Sequence, residues 1–329
     1  MKNVFIQFND VYLNETSVVS EEDEAKNFGQ YFDYVYKKGT LEENNEENEL
    51  QILKTCLALL FKKSNIYNPD IVFGGDLTNQ ISISSMIATE IDSSFIGIYS
   101  ACSTLILAMI LGSIFVSNQL VNNSLCFTSS SYRTAERQFR YPLEYGGQKK
   151  HTTTLTTSGA VGCYVSKRKA TIKIVSCTIG KIENIGWKDT NDLGTPMSYA
   201  AYTSIKSHFE NSNKNYDDYD LIVTGDLSLL GSKMLIDLFK YEDIELNNHF
   251  DCGENIFIKD NKHFCGGSGC ACIGLLSFSY IKEMIEKGMY TRVLLVGTGS
   301  LHSKTSSEQN EIVPVVAHVL ELEKNNDIC

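Results

Sequence analysis

Ser94-Phe95-Ile96-Gly97-Ile98-Tyr99-Ser100-Ala101-Cys102-Ser103-Thr104 is followed directly by the apolar run Leu105 to Val116, LILAMILGSIFV. The first six residues read as a short strand, the next five as a tight turn and the apolar run as a buried helix. A strand that breaks sharply into a helix at a cysteine is the unit from which the rest of the chain can be parsed. Upstream, Asp70 to Phe73 is a short buried strand ending at Gly74-Gly75-Asp76, and Leu50, Leu53, Cys56, Leu57, Leu60 and Phe61 share one face of a helix over Glu49 to Lys63. Downstream, Ser124 to Thr128 is again a strand, and Val161 to Val165 closes the first half.

The same order returns. Asp220 to Thr224 runs into Gly225-Asp226-Leu227-Ser228, an echo of Gly75-Asp76-Leu77-Thr78 with Asp76 and Asp226 150 positions apart. Gly269-Cys270-Ala271-Cys272 opens a second apolar helix that leads to the strand Arg292 to Val296, and Cys102 to Cys126 and Cys270 to Leu294 both span 24 residues. Val315 to Leu322 is the closing strand of this half. Matching element order in two α/β halves, 1–170 and 171–329, argues for an internal duplication with mostly parallel sheets covered by helices.

Composition narrows the function. The chain has 329 residues, 43 % of them hydrophobic and 21 % charged, within the range of globular proteins and long enough for a large core. Its net charge of −11 argues against nucleic-acid binding, which needs clustered Lys and Arg. MKNVFIQFND has no signal-peptide pattern, and the Leu105 to Val116 run is far short of the ~20 residues of a membrane span. Ten cysteines without a secretion signal read as reduced thiols. Cys265, Cys270 and Cys272 lack the paired spacing of a structural zinc site and read as packing against tight turns. The acidic stretch Glu21 to Glu49 reads as a solvated loop leading into a helix.

Cys102 is the candidate for chemistry. At a strand-to-helix turn it meets the positive end of the helix dipole, which lowers a thiol pKa, and the N–H groups there suit an anion or oxyanion. The competing reading is a small residue that merely fits the turn.

Two such halves with Ala101-Cys102-Ser103-Thr104 at the first elbow resemble the thiolase and ketoacyl-synthase superfamily. Within it the chain is most similar to the stage V sporulation protein AD family, over roughly residue 70 to the C-terminus. Carrying that resemblance are Gly75 to Gln80, Ala101 to Thr104, Glu136 to Gln148 (ERQFRYPLEYGGQ), Leu221 to Leu227, Phe250 to Gly253, Gly266 to Cys272 and Pro314 to His318. The first ~65 residues contribute little to it and look reduced and acidic. The resemblance implies a duplicated five-layer α-β-α-β-α fold. A condensing enzyme of this fold needs a histidine, with a second His or Asn, beside its cysteine. Those places hold Gly225-Asp226-Leu227 and Gly266-Gly267-Ser268-Gly269 instead. Of the histidines, His208 is read on a polar helix face, His249 and His263 beside loops, His151 after Lys149-Lys150, His318 within a strand, and His302 near enough to approach the pocket; each reads as structural.

The family resemblance therefore implies a non-catalytic binder of dipicolinic acid (pyridine-2,6-dicarboxylate) or its calcium chelate. Such a protein acts in dipicolinate uptake and release by spores, peripheral on the inner membrane, docked to membrane-spanning partners and dimeric through sheet edges of the first half. The expected ligand residues are Cys102, Ser103, Ser268 and Gly269 at the two opposed turns. Asp76 and Asp226 are candidate holders of a chelated calcium, or else loop caps. Arg137, Arg140, Lys149 and Lys150 are candidate counter-charges, or else a surface or dimer-contact segment. The alternatives to this reading are an acyltransferase working through Cys102 and a pure scaffold of the membrane assembly.

Overall fold

The computed structural model describes residues 3–40, 44–139, 146–260 and 263–327. Ten strands carry the architecture: β1 (Tyr12–Glu21), β2 (Ile71–Gly75), β3 (Ser94–Gly97), β4 (Asn123–Ser130) and β5 (Gly159–Ser166), then β6 (Ile172–Ile179), β7 (Leu221–Thr224), β8 (His249–Asp251), β9 (Arg292–Ser300) and β10 (Val315–Lys324). The first five pair in the order β3-β2-β4-β5-β1 and the second five in the order β8-β7-β9-β10-β6. In each set the first two pairings are parallel and the last two antiparallel. The duplication read from the elbows thus holds strand by strand. The expectation of mostly parallel sheets does not: both closing strands lie antiparallel to their neighbours. The two sets join where β1 meets β6 at Tyr12 and Lys173.

Six helices fill the layers around these sheets: α1 (Asn45–Ser64), α2 (Thr104–Ser117), α3 (Tyr132–Phe139), α4 (Gly194–Ser212), α5 (Ser228–Lys240) and α6, which runs from Cys272 to Glu286 through a π-helical stretch at Ser277–Ile281. α1 covers the outer face of the first sheet, and α4 and α5 that of the second. α2 lies against β2 and β4 on one side and β9 and β10 on the other, and α6 packs on β1 and β5. This is the five-layer α-β-α-β-α arrangement. α2 is apolar on every side because it is the middle layer, which explains a run that shows no helical stripe. Ile106, Met109 and Ile110 of α2 share one core with Val161 and Val165 of the first sheet and Val293 and Leu295 of the second.

The acidic N-terminal stretch corrects the sequence reading. Glu24 and Glu49 are buried rather than solvated. Glu49 accepts hydrogen bonds from Ser129 Oγ at 2.9 Å and Thr134 Oγ1 at 2.5 Å, and Glu24 accepts one from Ser158 N at 2.8 Å. Burial pushes Glu49 up to about 7 and Glu24 up to about 8. His208, read as sitting on a polar face, is fully buried between Thr178 Oγ1 at 2.9 Å and the Glu321 carboxylate at 3.5 Å.

Because Ile106 bridges both sheets, Ile106→Ala is expected to destabilise the protein by about 2–5 kcal/mol in chemical denaturation. Leu120→Ala, at a side chain 66 % exposed, is expected to stay within about 0.5 kcal/mol.

Candidate functional site

The first elbow is built by its own hydroxyls. Ala101 adopts φ +46°, a left-handed conformation that a non-glycine residue holds only when its surroundings fix it. Thr104 Oγ1 donates to Ala101 O at 2.6 Å and accepts from Ser100 N at 3.1 Å, while Ser103 Oγ donates to Ser100 O at 2.6 Å. Gly75 allows the neighbouring chain to pass: a Cβ there would lie 1.9 Å from Ile98 O. The second elbow meets the first head-on. The Cys270 thiol donates to Ala101 O at 3.0 Å, and Ala271 N donates to Ser130 Oγ at 3.2 Å. Gly269 holds φ +113°, where a side chain would be strained, and its N–H faces Asp226 Oδ2 at 3.4 Å.

A narrow cleft of about 40 Å³ opens onto this junction, with Cys102, Tyr99, Glu136, Thr156, Ser268 and His302 in its walls. It continues outward into a groove of about 600 Å³ alongside Gly97, Ile98 and Gln138, and Leu77, Tyr99, Phe139 and His302 border both spaces. Of the residues expected at a ligand, Cys102 and Ser268 line the cleft. Ser268 Oγ accepts from Thr154 Oγ1 at 3.0 Å, and its carbonyl accepts from Thr157 N at 2.8 Å. Ser103 does not reach the cleft, since it is fully buried and its hydroxyl closes the elbow. Gly269 shapes the turn and does not line the cleft.

Asp76 is spent within its own loop. Its Oδ1 accepts from Thr78 N at 2.8 Å and from Thr78 Oγ1, and its Oδ2 accepts from Ser84 N at 2.7 Å and Ser84 Oγ at 2.6 Å. Asp226 belongs to the site instead. It is buried beside the Cys102 thiol and accepts from Thr298 Oγ1 at 2.5 Å. The pairing of Asp76 with Asp226 as calcium holders is therefore corrected: each carboxylate is engaged by neighbouring donors, and no cluster of three or more His, Cys, Asp or Glu suited to a metal ion is found among the described residues. The described candidate counter-charges are each paired with a carboxylate. Arg137 pairs with Glu46, Lys150 with Asp189 at 3.3 Å and Lys149 with Glu136 at 2.8 Å. Arg140 lies outside the described residues.

The Cys102 thiol is not the activated one expected from the helix dipole. Burial comes first, then the Asp226 carboxylate and the Cys270 thiol, and together these push Cys102 well above the ordinary thiol range. Removal from water outweighs half a helix charge. Burial raises Asp226 to about 6. One histidine lies where the sequence allowed it to approach the pocket, and another lies closer to the site than expected. His302 lines the cleft and packs on Phe139. His318 sits beneath the elbow: Gly180 N donates to Nδ1 at 3.2 Å, which leaves Nε2 to donate to Ser100 Oγ at 3.1 Å. Burial lowers His318 to about 4, so it is neutral and a fixed donor. Its alternating place in β10 gave no sign of this, because the contact crosses to the other half of the duplication.

The fold and this paired-elbow site define a thiolase-like protein. A crystal structure of OleA from Xanthomonas campestris superposes with a TM-score of 0.61 over 97 % of this chain and 98 % of its own, at 10 % identity. The 3-oxoacyl-[acyl-carrier-protein] synthase III of Aquifex aeolicus superposes with a TM-score of 0.50 over 98 % of this chain and 99 % of its own, at 13 % identity. The chain belongs to the stage V sporulation protein AD (SpoVAD) family, whose model matches residues 2–323. The stage V sporulation protein AD of Bacillus subtilis (strain 168) is 37 % identical over 300 residues, covering 90 % of this chain and 89 % of that protein. The family match begins at the N-terminus, so the opening residues, read from sequence as contributing little, belong to it too; they include β1, the first strand of the sheet.

If Asp226 holds the Cys102 proton in place, Asp226→Asn will speed iodoacetamide alkylation of Cys102 at pH 8 by about tenfold, read by peptide mass spectrometry. An unchanged rate would assign the raised pKa to burial alone.

Proposed function

We propose that this protein is a non-catalytic binder of dipicolinic acid, or of its calcium chelate, in dipicolinate uptake and release during sporulation and germination. One observation carries the reading. Asp226, at the place where the family resemblance puts a base histidine, stands beside the elbow thiol, and burial together with that carboxylate keeps the thiol protonated in the cleft. A thiol in that state packs against a ring as a small apolar group, while the Ser268, Thr156 and Tyr99 hydroxyls and the α2 N-terminus supply donors for carboxylates. Any calcium then arrives bound to the ligand, and no pair of protein carboxylates is needed for it.

The same proposal includes peripheral attachment to the spore inner membrane through membrane-spanning partners; no helix among the described residues is long and apolar enough to cross a membrane. It also includes a homodimer formed through β3, the outermost strand of the first sheet, where Ile96 is 38 % exposed. An unpaired strand edge with an outward apolar side chain is suited to pairing with a second copy. Ile96→Glu is expected to yield a monomer in sedimentation analysis.

The acyltransferase alternative has one observation in its favour, the presence of His302 in the same cleft as Cys102. Calorimetry separates the two. Dipicolinate, with and without calcium, is expected to bind the wild type but not Cys102→Trp, with circular dichroism showing that the variant is folded. Equal binding to both would move the ligand out of this cleft. No binding to either, together with acyl groups trapped on Cys102, would establish the enzyme instead.

A further inference from the structure

Beneath the cleft sits a buried carboxylate that no cation among the described residues pairs with. Asp226 Oδ1 accepts from Thr298 Oγ1 at 2.5 Å, Oδ2 from Gly269 N at 3.4 Å, and the Cys102 thiol lies alongside. The titratable groups that face it are Cys102 from the elbow of α2, Asp251 and Cys252 from the end of β8, and Cys272 from the start of α6. β9 contributes only the Thr298 hydroxyl. Each of these groups is neutral or acidic. Asp251 is itself buried and saturated by Thr224 Oγ1, Leu227 N, Ser228 N and Glu254 N. In the cleft wall Glu136 is paired with Lys149 at 2.8 Å, a pair that adds no net charge. His302 also lines the cleft, but among the described residues no cationic side chain is found between Cys102 and Asp226, so an anion seated on Cys102 meets the Asp226 charge in a setting where burial strengthens the repulsion.

We propose that Asp226 makes anion binding in this cleft proton-linked: a dianionic ligand enters together with one proton from solvent, which Asp226 keeps, whereas the neutral calcium chelate enters without one. The step is a protonation only, carboxylate plus proton giving carboxylic acid, and it turns a repelling group into a neutral one. Asp226 is thus a specificity-determining residue whose charge state selects between the free dianion and the chelate. The inference rests on the dipicolinate reading above and goes beyond it by assigning the charge balance of the site.

Burial already places unliganded Asp226 near 6, so the linkage falls in an accessible range. The sign follows from proton uptake. Affinity for the dianion is flat below about pH 6 and weakens as pH rises, by up to about tenfold per unit until the pKa of the liganded state is passed.

The test is calorimetry on the full chain with dipicolinate and with its equimolar calcium chelate, from pH 6 to 8, in phosphate and in Tris. The two buffers differ in ionisation heat, so the difference between them reports protons taken up. The expected result at pH 7 is uptake approaching one proton per dipicolinate, none for the chelate, and none for either ligand with Asp226→Asn. Thr298→Val removes a donor to the ionised carboxylate and is expected to move the onset of the pH dependence upward. This second variant keeps the test decisive where Asp226→Asn fails to fold. Dipicolinate binding without proton uptake, or uptake that persists in Asp226→Asn, would overturn the proton linkage and leave the dipicolinate reading standing. No dipicolinate binding to the wild type at any pH would overturn both.

Discussion

The head-to-head meeting of two elbows holds the rest of the structure in register. Ala101 accepts the Cys270 thiol, Ser130 accepts Ala271 N, and Asp226 spans the gap to Gly269. All of these residues are buried, where a lost partner leaves a donor unsatisfied, so each donor has to find its acceptor across the duplication. The strained φ of Ala101 is sustained because Ser100, Ser103 and Thr104 close a hydroxyl network around it and His318 anchors that network from the second sheet. The cleft is what remains above the place where the two halves fit together.

The electrostatics follow from the same geometry. Asp226, Asp251, Glu49 and Glu24 are buried among neutral donors and all rise above the ordinary carboxylate range, to about 6, 7, 7 and 8. A raised carboxyl contributes stability that is complete below its unfolded pKa and is lost as pH climbs through its folded value. These four therefore favour the fold in acid, lose that contribution progressively as pH rises above about 4, and have lost it by about pH 8. Glu321 is the contrast. Burial acts to raise it, but His208, Ser176 and Lys214 outweigh burial and hold it down at about 2. Its contribution is present above the ordinary range and is lost only in strong acid. The interior thus holds carboxyls of opposite behaviour.

The elements around the elbows were legible because a strand, a turn and an apolar run leave a local signature, and the signature occurs twice at matching spacing. The first strand of each set, β1 and β6, was not. Tyr12–Glu21 reads YLNETSVVSE, a strand buried on both faces but rich in polar residues, without the alternation that marks a half-exposed strand. The polar residues find partners only through tertiary contacts, such as Thr16 Oγ1 to Phe278 O at 3.1 Å. The same reason explains the errors at the site. Cys102 and Ser268 were found by their turns. Ser103 and Asp76 were found as well but misassigned, because nothing in a turn motif says whether a side chain faces the ligand or its own backbone. The environment of Cys102 was misjudged because a helix dipole is visible in sequence and burial is not. Glu24, Glu49 and His208 look like surface residues until distant partners are placed on them.

The path of the first residues carries one more consequence. Val4–Gln7 pairs with β6, from Val4 opposite Ile179 to Gln7 opposite Ser176, while the continuation of the same chain as β1 pairs with β5 of the first sheet. The N-terminus is thus stitched to a strand more than half the chain away. During synthesis the first half can assemble its own sheet, but its leading segment stays without a partner until Ile172–Ile179 has been made. Contacts of such long sequence separation form late and slowly. The duplicated halves therefore do not mature as two independent units in succession; completion of the first waits on the second.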